Sequence, residues 1–148
     1  GYQGMFAGNL LNGLSVRGWV GPNTAIGVEG NFFYGALEVD EPVDLDADLL
    51  MLEIKAMYAF IIKTNSRFYA GGKFAYGQYS IDPVNFEGKI YIPGIFVGAE
   101  WNFPSLPEVG FNFEVGYNYA IDNNEIDGDE VDLNLHGVNV GLGIKYYF

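Results

Sequence analysis

The chain closes with the stretch Val138-Asn-Val-Gly-Leu-Gly-Ile-Lys-Tyr-Tyr-Phe148. Its even positions are bulky and largely apolar, and the odd positions between them are Asn, Gly, Gly, Lys and Tyr. Successive side chains of a β-strand point to opposite faces, so alternation with a period of two predicts a strand. This strand has one apolar face and one small or polar face.

The same alternation recurs six times further up the chain. The segments are residues 14–20, 26–34, 52–60, 68–77, 95–101 and 109–119. Short connections at residues 21–23, 63–67 and 104–107 carry the Gly, Pro, Asn and Ser that tight turns need. Long polar connections near residues 38–48, 82–89 and 122–130 alternate with them. Short turns on one rim and long loops on the other are typical of an outer-membrane β-barrel.

Closure of such a barrel requires an even number of antiparallel strands. The strand at residues 14–20 and the last strand run in the same direction, so one more strand is needed between them. Residues 2–8 can supply it, with residues 9–13 as a loop. The predicted fold is therefore all-β: a transmembrane, antiparallel, up-and-down β-barrel of eight strands, formed by residues 1–148 as one domain.

Composition supports a membrane protein that crosses by strands. Charged residues are only 18% of the chain, few for a soluble surface, and aromatic residues reach 17%. No apolar run approaches the roughly 18 residues of a transmembrane helix. Cysteine is absent, which excludes disulfides, and the net charge of −12 argues against nucleic-acid binding. The sequence opens at Gly1 without a signal peptide, so we expect it to be a mature outer-membrane form.

The bulky apolar face is expected to meet lipid. An eight-stranded barrel has an interior only just wide enough for ordinary side chains, so the aromatic residues of that face cannot all point inward. The opposite face is dominated by Gly, Ala, Asn and Ser. The aromatics predicted to lie at the two membrane interfaces are Tyr34, Tyr58, Tyr76, Trp101, Tyr117, Tyr119 and Tyr146.

The same assignment of faces turns eight charged side chains inward, four of each sign. They are Arg17, Glu29, Glu53, Lys55, Lys73, Glu100, Glu114 and Lys145. Isolated charges in a narrow interior are costly, whereas paired and hydrogen-bonded charges are tolerated. The balance predicts an interior plugged by salt bridges; a proton or ion path along the same groups is the functional alternative.

The surplus acidic residues lie on the predicted long loops. The first loop carries Glu38, Asp40, Glu41, Asp44, Asp46 and Asp48, and the last carries Asp122, Glu125, Asp127, Asp129 and Glu130. The last loop is a candidate cation-binding loop because calcium prefers many oxygen ligands, but its spacing does not match a calcium-loop motif. There are two alternatives. The loop could be a flexible acidic segment, or its carboxylates could bind lipopolysaccharide phosphates through divalent cations. The metal is not identified.

An enzyme is the third reading of the sequence. His136 is the single histidine and could act as a general base beside Ser15 or Ser80 near the long-loop rim. No nucleophile motif surrounds either serine, so we predict no catalytic residue and no cofactor.

Three local features of the sequence fit the barrel pattern less well. Residues 46–63 have the composition of a helix capped at Asp46, although the charges on Glu53 and Lys55 fall on one strand face. The alternation changes phase before Val138, which predicts a bulge near residues 136–137. Pro93 lacks an amide donor and is expected at a bulge or above the membrane.

Taken with these patterns, the sequence resembles the small outer-membrane β-barrels of the OmpA/OmpX-like, porin-like group. The closing stretch, with Tyr146 and the terminal Phe148, is similar to the signal that the barrel-insertion machinery reads in that family. Residues 12–20, Asn-Gly-Leu-Ser-Val-Arg-Gly-Trp-Val, resemble an early strand of porin-like domains. The resemblance covers nearly the whole chain.

Membership of that family does not by itself select a function. We expect a monomeric protein of the bacterial outer membrane with a plugged polar interior and a structural or interaction role through its acidic loops. Its expected partners are the lipid bilayer, lipopolysaccharide and the insertion machinery. A narrow channel for small or hydrophobic solutes is the alternative, and a lipid-modifying enzyme is third.

Overall fold

The structure, a computed structural model, describes residues 2–5, 11–20, 25–39, 45–82, 86–126 and 129–147. Its strands are β1 (Tyr2–Met5), β2 (Leu11–Trp19), β3 (Ile26–Val39), β4 (Leu45–Lys63), β5 (Ser66–Asp82), β6 (Phe86–Phe103), β7 (Leu106–Ile126) and β8 (Asp129–Tyr146). The described residues are therefore all-β. In this part of the chain, no helix is long and apolar enough to cross a membrane.

The strands follow one another in an antiparallel, up-and-down order. Each of the long strands β2 to β8 pairs with its neighbours in sequence. The short strand β1 pairs with β2 through Tyr2 and Leu14, and with β8 through Tyr2 and Ile144. The predicted all-β, antiparallel, up-and-down arrangement is confirmed. Residues 6–8 of the predicted first strand and the turn at residues 21–23 lie outside the described part.

Strand β4 shows tertiary structure overriding local propensity. The alternative of a helix over residues 46–63 is wrong, because this segment pairs along its length with both β3 and β5. Its alternation decides the outcome: Met51, Glu53 and Lys55 are buried, whereas Leu52 and Ile54 between them are exposed. A helix would mix these two sets on its surface, and a strand separates them.

More than half of the residues in the long loops predicted at residues 38–48, 82–89 and 122–130 belong to strands in the structure. Strand β3 continues to Val39 and β4 begins at Leu45, while β7 continues to Ile126 and β8 begins at Asp129. Strand β5 continues to Asp82, and β6 begins at Phe86. Apolar alternation marks the part of a strand with one apolar face, but the backbone ladder does not need such a face and continues beyond it.

Two predicted irregularities are corrected by the strand register. The bulge predicted at residues 136–137 is wrong, since His136 pairs with Tyr119 and Gly137 with Asn118 in an unbroken series. Register shifts occur elsewhere, after Ala59 and after Asn102. Of the two alternatives for Pro93, the bulge is wrong: the pairing between β6 and β7 lapses at residues 92–93 and resumes at Gly94 in the same register. Proline has no backbone N–H to donate to the neighbouring strand, which explains this local gap in the pairing. A position above the membrane stays a prediction.

The sheet has two unlike faces. On the outer face, Leu14, Val16, Ile54, Ile95 and Val138 are between 66% and 80% exposed. The inner face is buried, and the sheet curls so far that side chains of β2 meet those of β6, β7 and β8 across it. The charged residues predicted to face inward lie on this buried inner face.

Candidate functional site: a buried charge network

Seven strands contribute one or two charged residues to the inner face. Strand β2 carries Arg17, β3 carries Glu29, and β4 carries both Glu53 and Lys55. Within the described residues, all eight predicted inward charges are linked by ion pairs into one network: Arg17, Glu29, Glu53, Lys55, Lys73, Glu100, Glu114 and Lys145. Strand parity explains the common direction, because each alternates with residues of the exposed face.

Arg17 is the centre of the network. Its Nε donates to Glu29, its Nη1 lies 2.7 Å from Glu100 Oε2, and its Nη2 lies 2.6 Å from Glu114 Oε1. The Arg17 side chain is only 1% exposed. A planar guanidinium presents five donors in a fixed fork, so it can hold several carboxylates at once in defined directions. Arg17 therefore joins β2 to β3, β6 and β7.

The three lysines complete the network around this arginine. Lys55 Nζ lies 2.5 Å from Glu114 Oε2 and 3.4 Å from Glu29 Oε1. Lys145 Nζ lies 3.4 Å from the same Glu29 oxygen. Lys73 Nζ lies 3.5 Å from Glu53 Oε2. Four cations thus face four carboxylates, so the network is formally neutral.

Neutral polar side chains satisfy further atoms of the network. The Tyr69 hydroxyl accepts from Arg17 Nη1 at 2.9 Å and donates to Glu114 Oε1 at 2.8 Å. The Tyr147 hydroxyl donates to Glu100 Oε2 at 2.7 Å. Asn31 donates to Glu53 at 3.0 Å, and Lys145 donates to Ser15 at 2.5 Å. These bonds offset part of the desolvation that burying charges costs.

Large apolar side chains enclose the network, and the sequence reasoning missed them. Phe33, Met51 and Ala75 form a buried cluster, and Ile92 packs against it. This cluster lies on the side of the network that faces the rim where β3, β5 and β7 end. A second buried cluster, with Met57, Ala59, Tyr69 and Phe96 as members, lies on the short-turn side of Lys55 and Lys73. The signal was available, because Phe33, Tyr69 and Phe96 occupy inward parity positions among the small residues.

The ion pairs of the network link side chains from seven strands across the inner face. Each carboxylate of the network lies within ion-pair distance of at least one cation. Ser15 is buried on the inner face, whereas the exposed His136 Nδ1 lies 2.6 Å from the Tyr117 hydroxyl. Ser15 and His136, one of the two serine–histidine combinations considered from the sequence, therefore lie on opposite faces. The described residues contain no group of three or more side chains suited to a metal ion.

The predicted interface aromatics lie on the outer face and are at least partly exposed. Tyr34, Tyr76, Tyr117 and Tyr119 lie towards the rim at which β3, β5 and β7 end, and Tyr58, Trp101 and Tyr146 lie towards the short-turn rim. The Tyr34 hydroxyl donates to the exposed Asp48 at 2.8 Å, and Tyr119 stacks against His136 with ring centroids 6.5 Å apart. The outer face therefore carries polar side chains, Asp48 and His136, near this rim.

The acidic residues predicted to form a cation-binding loop are only partly described. The backbones of Asp122 and Glu125 belong to β7, and those of Asp129 and Glu130 belong to β8. Asp127 lies outside the described residues, as does Phe148 of the predicted assembly signal. The loop therefore remains a prediction.

Comparison with protein-family models gives no match for this chain, and comparison with curated proteins gives none either. The two unlike faces of the sheet and the buried charge network are therefore the features that bear on function.

Proposed function

We propose that the chain is a closed, eight-stranded β-barrel that spans a bacterial outer membrane, with its interior blocked by the charge network. The observation that carries this proposal is the contrast between the faces: apolar side chains are exposed along the outer face, while balanced charges are buried on the inner one. In water an exposed apolar face is unfavourable. In a bilayer the same face meets lipid, and the charges lie away from the lipid on the inner face.

The register of the strands supports closure. A row of paired residues that starts at Ile144 on β8 passes through Tyr2, Leu14, Phe32, Leu52, Tyr76, Tyr91 and Ile121 and returns to β8 at Asn134. The row is thus displaced by ten residues along β8. For eight strands at standard spacing this displacement corresponds to a tilt of about 40°, within the roughly 35–45° of transmembrane barrels.

The outer face supports insertion in a membrane. Its exposed aliphatic side chains lie between two sets of aromatic residues, such as Tyr34 and Tyr119 near one rim and Trp101 and Tyr146 near the other. Tyrosine and tryptophan favour the boundary between hydrocarbon and water, because their rings are apolar and one end is polar. The Tyr34–Asp48 hydrogen bond marks the level at which we place the headgroups.

The blocked interior favours a structural or interaction role over transport. Arg17 bridges carboxylates from three strands, and the Phe33 cluster lies between the network and the far rim. In this proposal the acidic strand ends contact lipopolysaccharide, divalent cations or an external partner, and the barrel acts as a monomer.

Depth-dependent fluorescence quenching tests the assignment of the two faces. The chain has two tryptophans, Trp101 exposed on the outer face and Trp19 on the inner face. In vesicles containing brominated phosphatidylcholine, the Trp19→Phe variant, which keeps Trp101, should be strongly quenched, and the Trp101→Phe variant, which keeps Trp19, should be quenched much less. Equal quenching of the two variants, or quenching of neither, contradicts the proposal.

Single-channel conductance tests the blocked interior. The refolded protein should give no steady current in a planar bilayer, with heat-shifted gel mobility confirming that it is folded. A reproducible current would favour the channel alternative. In that case Glu53→Lys, which reverses an inward charge, should alter ion selectivity, and Lys89→Glu, at an exposed position, serves as the control.

A further inference from the structure

A cavity of about 900 Å³ opens at the short-turn rim of the sheet, below the charge network. Its lining includes the turn residues Thr64 and Asn65, and Arg17 and Glu100 of the network. Three further members, Trp19, Lys63 and Arg67, supply hydrogen-bond donors. The cavity is therefore a polar recess bounded by buried charges on one side.

The charges of this cavity are unevenly matched. Arg17 and Glu100 are paired with each other, and Glu100 also accepts from Tyr147. The side chains of Lys63 and Arg67 make no hydrogen bond or ion pair with another residue in the part of the chain that the structure describes. Two positive charges are thus left without an acidic partner at the cavity wall.

A third donor lies beside them. The Nε1 of Trp19 is buried and has no hydrogen-bond partner among the described residues. The guanidinium carbon of Arg67 lies 4.7 Å from the centroid of the Trp19 ring, so the ring orients the arginine by a cation–π contact. A buried N–H without a partner costs free energy, and Trp19 is itself a lining residue of the cavity.

We propose that this cavity, defined by Trp19, Lys63 and Arg67, binds a phosphate group. The planar donor fork of Arg67 matches the paired oxygens of a phosphate, Lys63 adds a compact charge, and Trp19 adds a neutral donor. The phosphate belongs either to a free small molecule or to the headgroup of an anionic phospholipid. Neither source depends on the acidic strand ends, and the free ligand does not depend on membrane insertion.

Fluorescence of Trp19 reports binding directly. In the Trp101→Phe variant Trp19 is the single tryptophan, and the replaced residue lies on the outer face. This variant, folded in a nonionic maltoside detergent, is titrated with inorganic phosphate at constant ionic strength. A parallel titration uses mixed micelles that contain phosphatidylglycerol, with phosphatidylcholine for comparison. We expect a saturable change in Trp19 fluorescence with phosphate, with phosphatidylglycerol, or with both.

The two titrations distinguish the source of the phosphate. Saturation by inorganic phosphate indicates a free ligand, and saturation by phosphatidylglycerol alone indicates a lipid headgroup. Absence of saturation in both overturns the proposal, whatever the outcome of the bilayer experiments.

Variants of the same single-tryptophan protein test the named residues. Arg67→Gln should weaken binding by about tenfold or more, because a hydrogen-bonded charge pair is lost. Lys63→Gln should weaken it less, and Arg67→Lys, which keeps the charge but loses the fork, should be intermediate. Lys89→Gln removes an exposed lysine away from the cavity and should leave binding unchanged. Equal binding by Arg67→Gln and Lys89→Gln would overturn the assignment.

Discussion

Arg17 on β2 and Glu114 on β7 are 97 residues apart in sequence, yet their side chains meet at 2.6 Å. These strands are not neighbours in the sheet, so the contact crosses the inner face. Glu29 and Glu100 bind the same guanidinium from two other strands. Loss of Arg17 would leave Glu100 without a cation and would remove one of the cations that hold Glu29 and Glu114.

The first prediction concerns Arg17. We expect Arg17→Met to lower the free energy of unfolding by about 3–5 kcal/mol, because burying an uncompensated charge costs that much. Urea unfolding of the detergent-folded protein, followed by gel mobility, measures the change. Lys89→Met is the matched control, and its exposed side chain should make the loss less than about 0.5 kcal/mol. Similar losses for the two variants would contradict the role of Arg17.

The second prediction concerns the pair Lys73 and Glu53, whose charged atoms lie 3.5 Å apart. Lys73→Met alone should destabilise the protein by about 3 kcal/mol, since it leaves a buried carboxylate with one cation fewer. Adding Glu53→Gln should recover part of that loss. The double-mutant cycle should give a coupling free energy of about 0.5–3 kcal/mol. Strict additivity of the two substitutions would show that the pair does not interact.

Strand parity explains why the members of the charge network could be predicted from sequence. Once the alternation assigns Ile54 to the exposed face, Glu53 and Lys55 must share the other face. Their individual partners could not be predicted. Which carboxylate meets Arg17 depends on the register between strands and on the displacement around the sheet, and neither is encoded in local alternation.

The limits of the strands were predicted less well than their existence. Beyond Tyr34 and Tyr119 the apolar stripe ends, although β3 and β7 continue for several residues. The predicted filling of the inner face by small residues was likewise incomplete. Phe33, Tyr69 and Phe96 lie among glycines there because a large side chain can occupy the space that a facing glycine leaves.

The third prediction compares two adjacent glycines of β5. A Cβ added at Gly71 would clash with the backbone oxygen of Ala56 and lie 2.9 Å from the ring of Phe96, whereas at Gly72 the nearest atom is 3.9 Å away. Gly71→Ala should therefore cost about 1–3 kcal/mol of stability through overpacking. Gly72→Ala should be neutral or slightly stabilising, because alanine reduces the freedom of the unfolded chain. Equal effects in urea unfolding would contradict the assignment of faces.

The fourth prediction isolates one hydroxyl of the network. Tyr69→Phe keeps the buried ring, which packs edge-on against Phe96 and Trp19, but removes the bonds to Arg17 and Glu114. We expect a loss of about 1–3 kcal/mol, since hydrogen bonds to charged groups are stronger than neutral ones. Tyr58→Phe removes a hydroxyl from a tyrosine that is 61% exposed on the outer face, and it should change stability by less than about 0.5 kcal/mol. Both variants keep an aromatic ring at their position, so the difference between them reports the hydroxyl bonds and not packing. If Tyr69→Phe were as stable as Tyr58→Phe, the hydroxyl would add nothing to the network, and the charges alone would hold β2, β5 and β7 together.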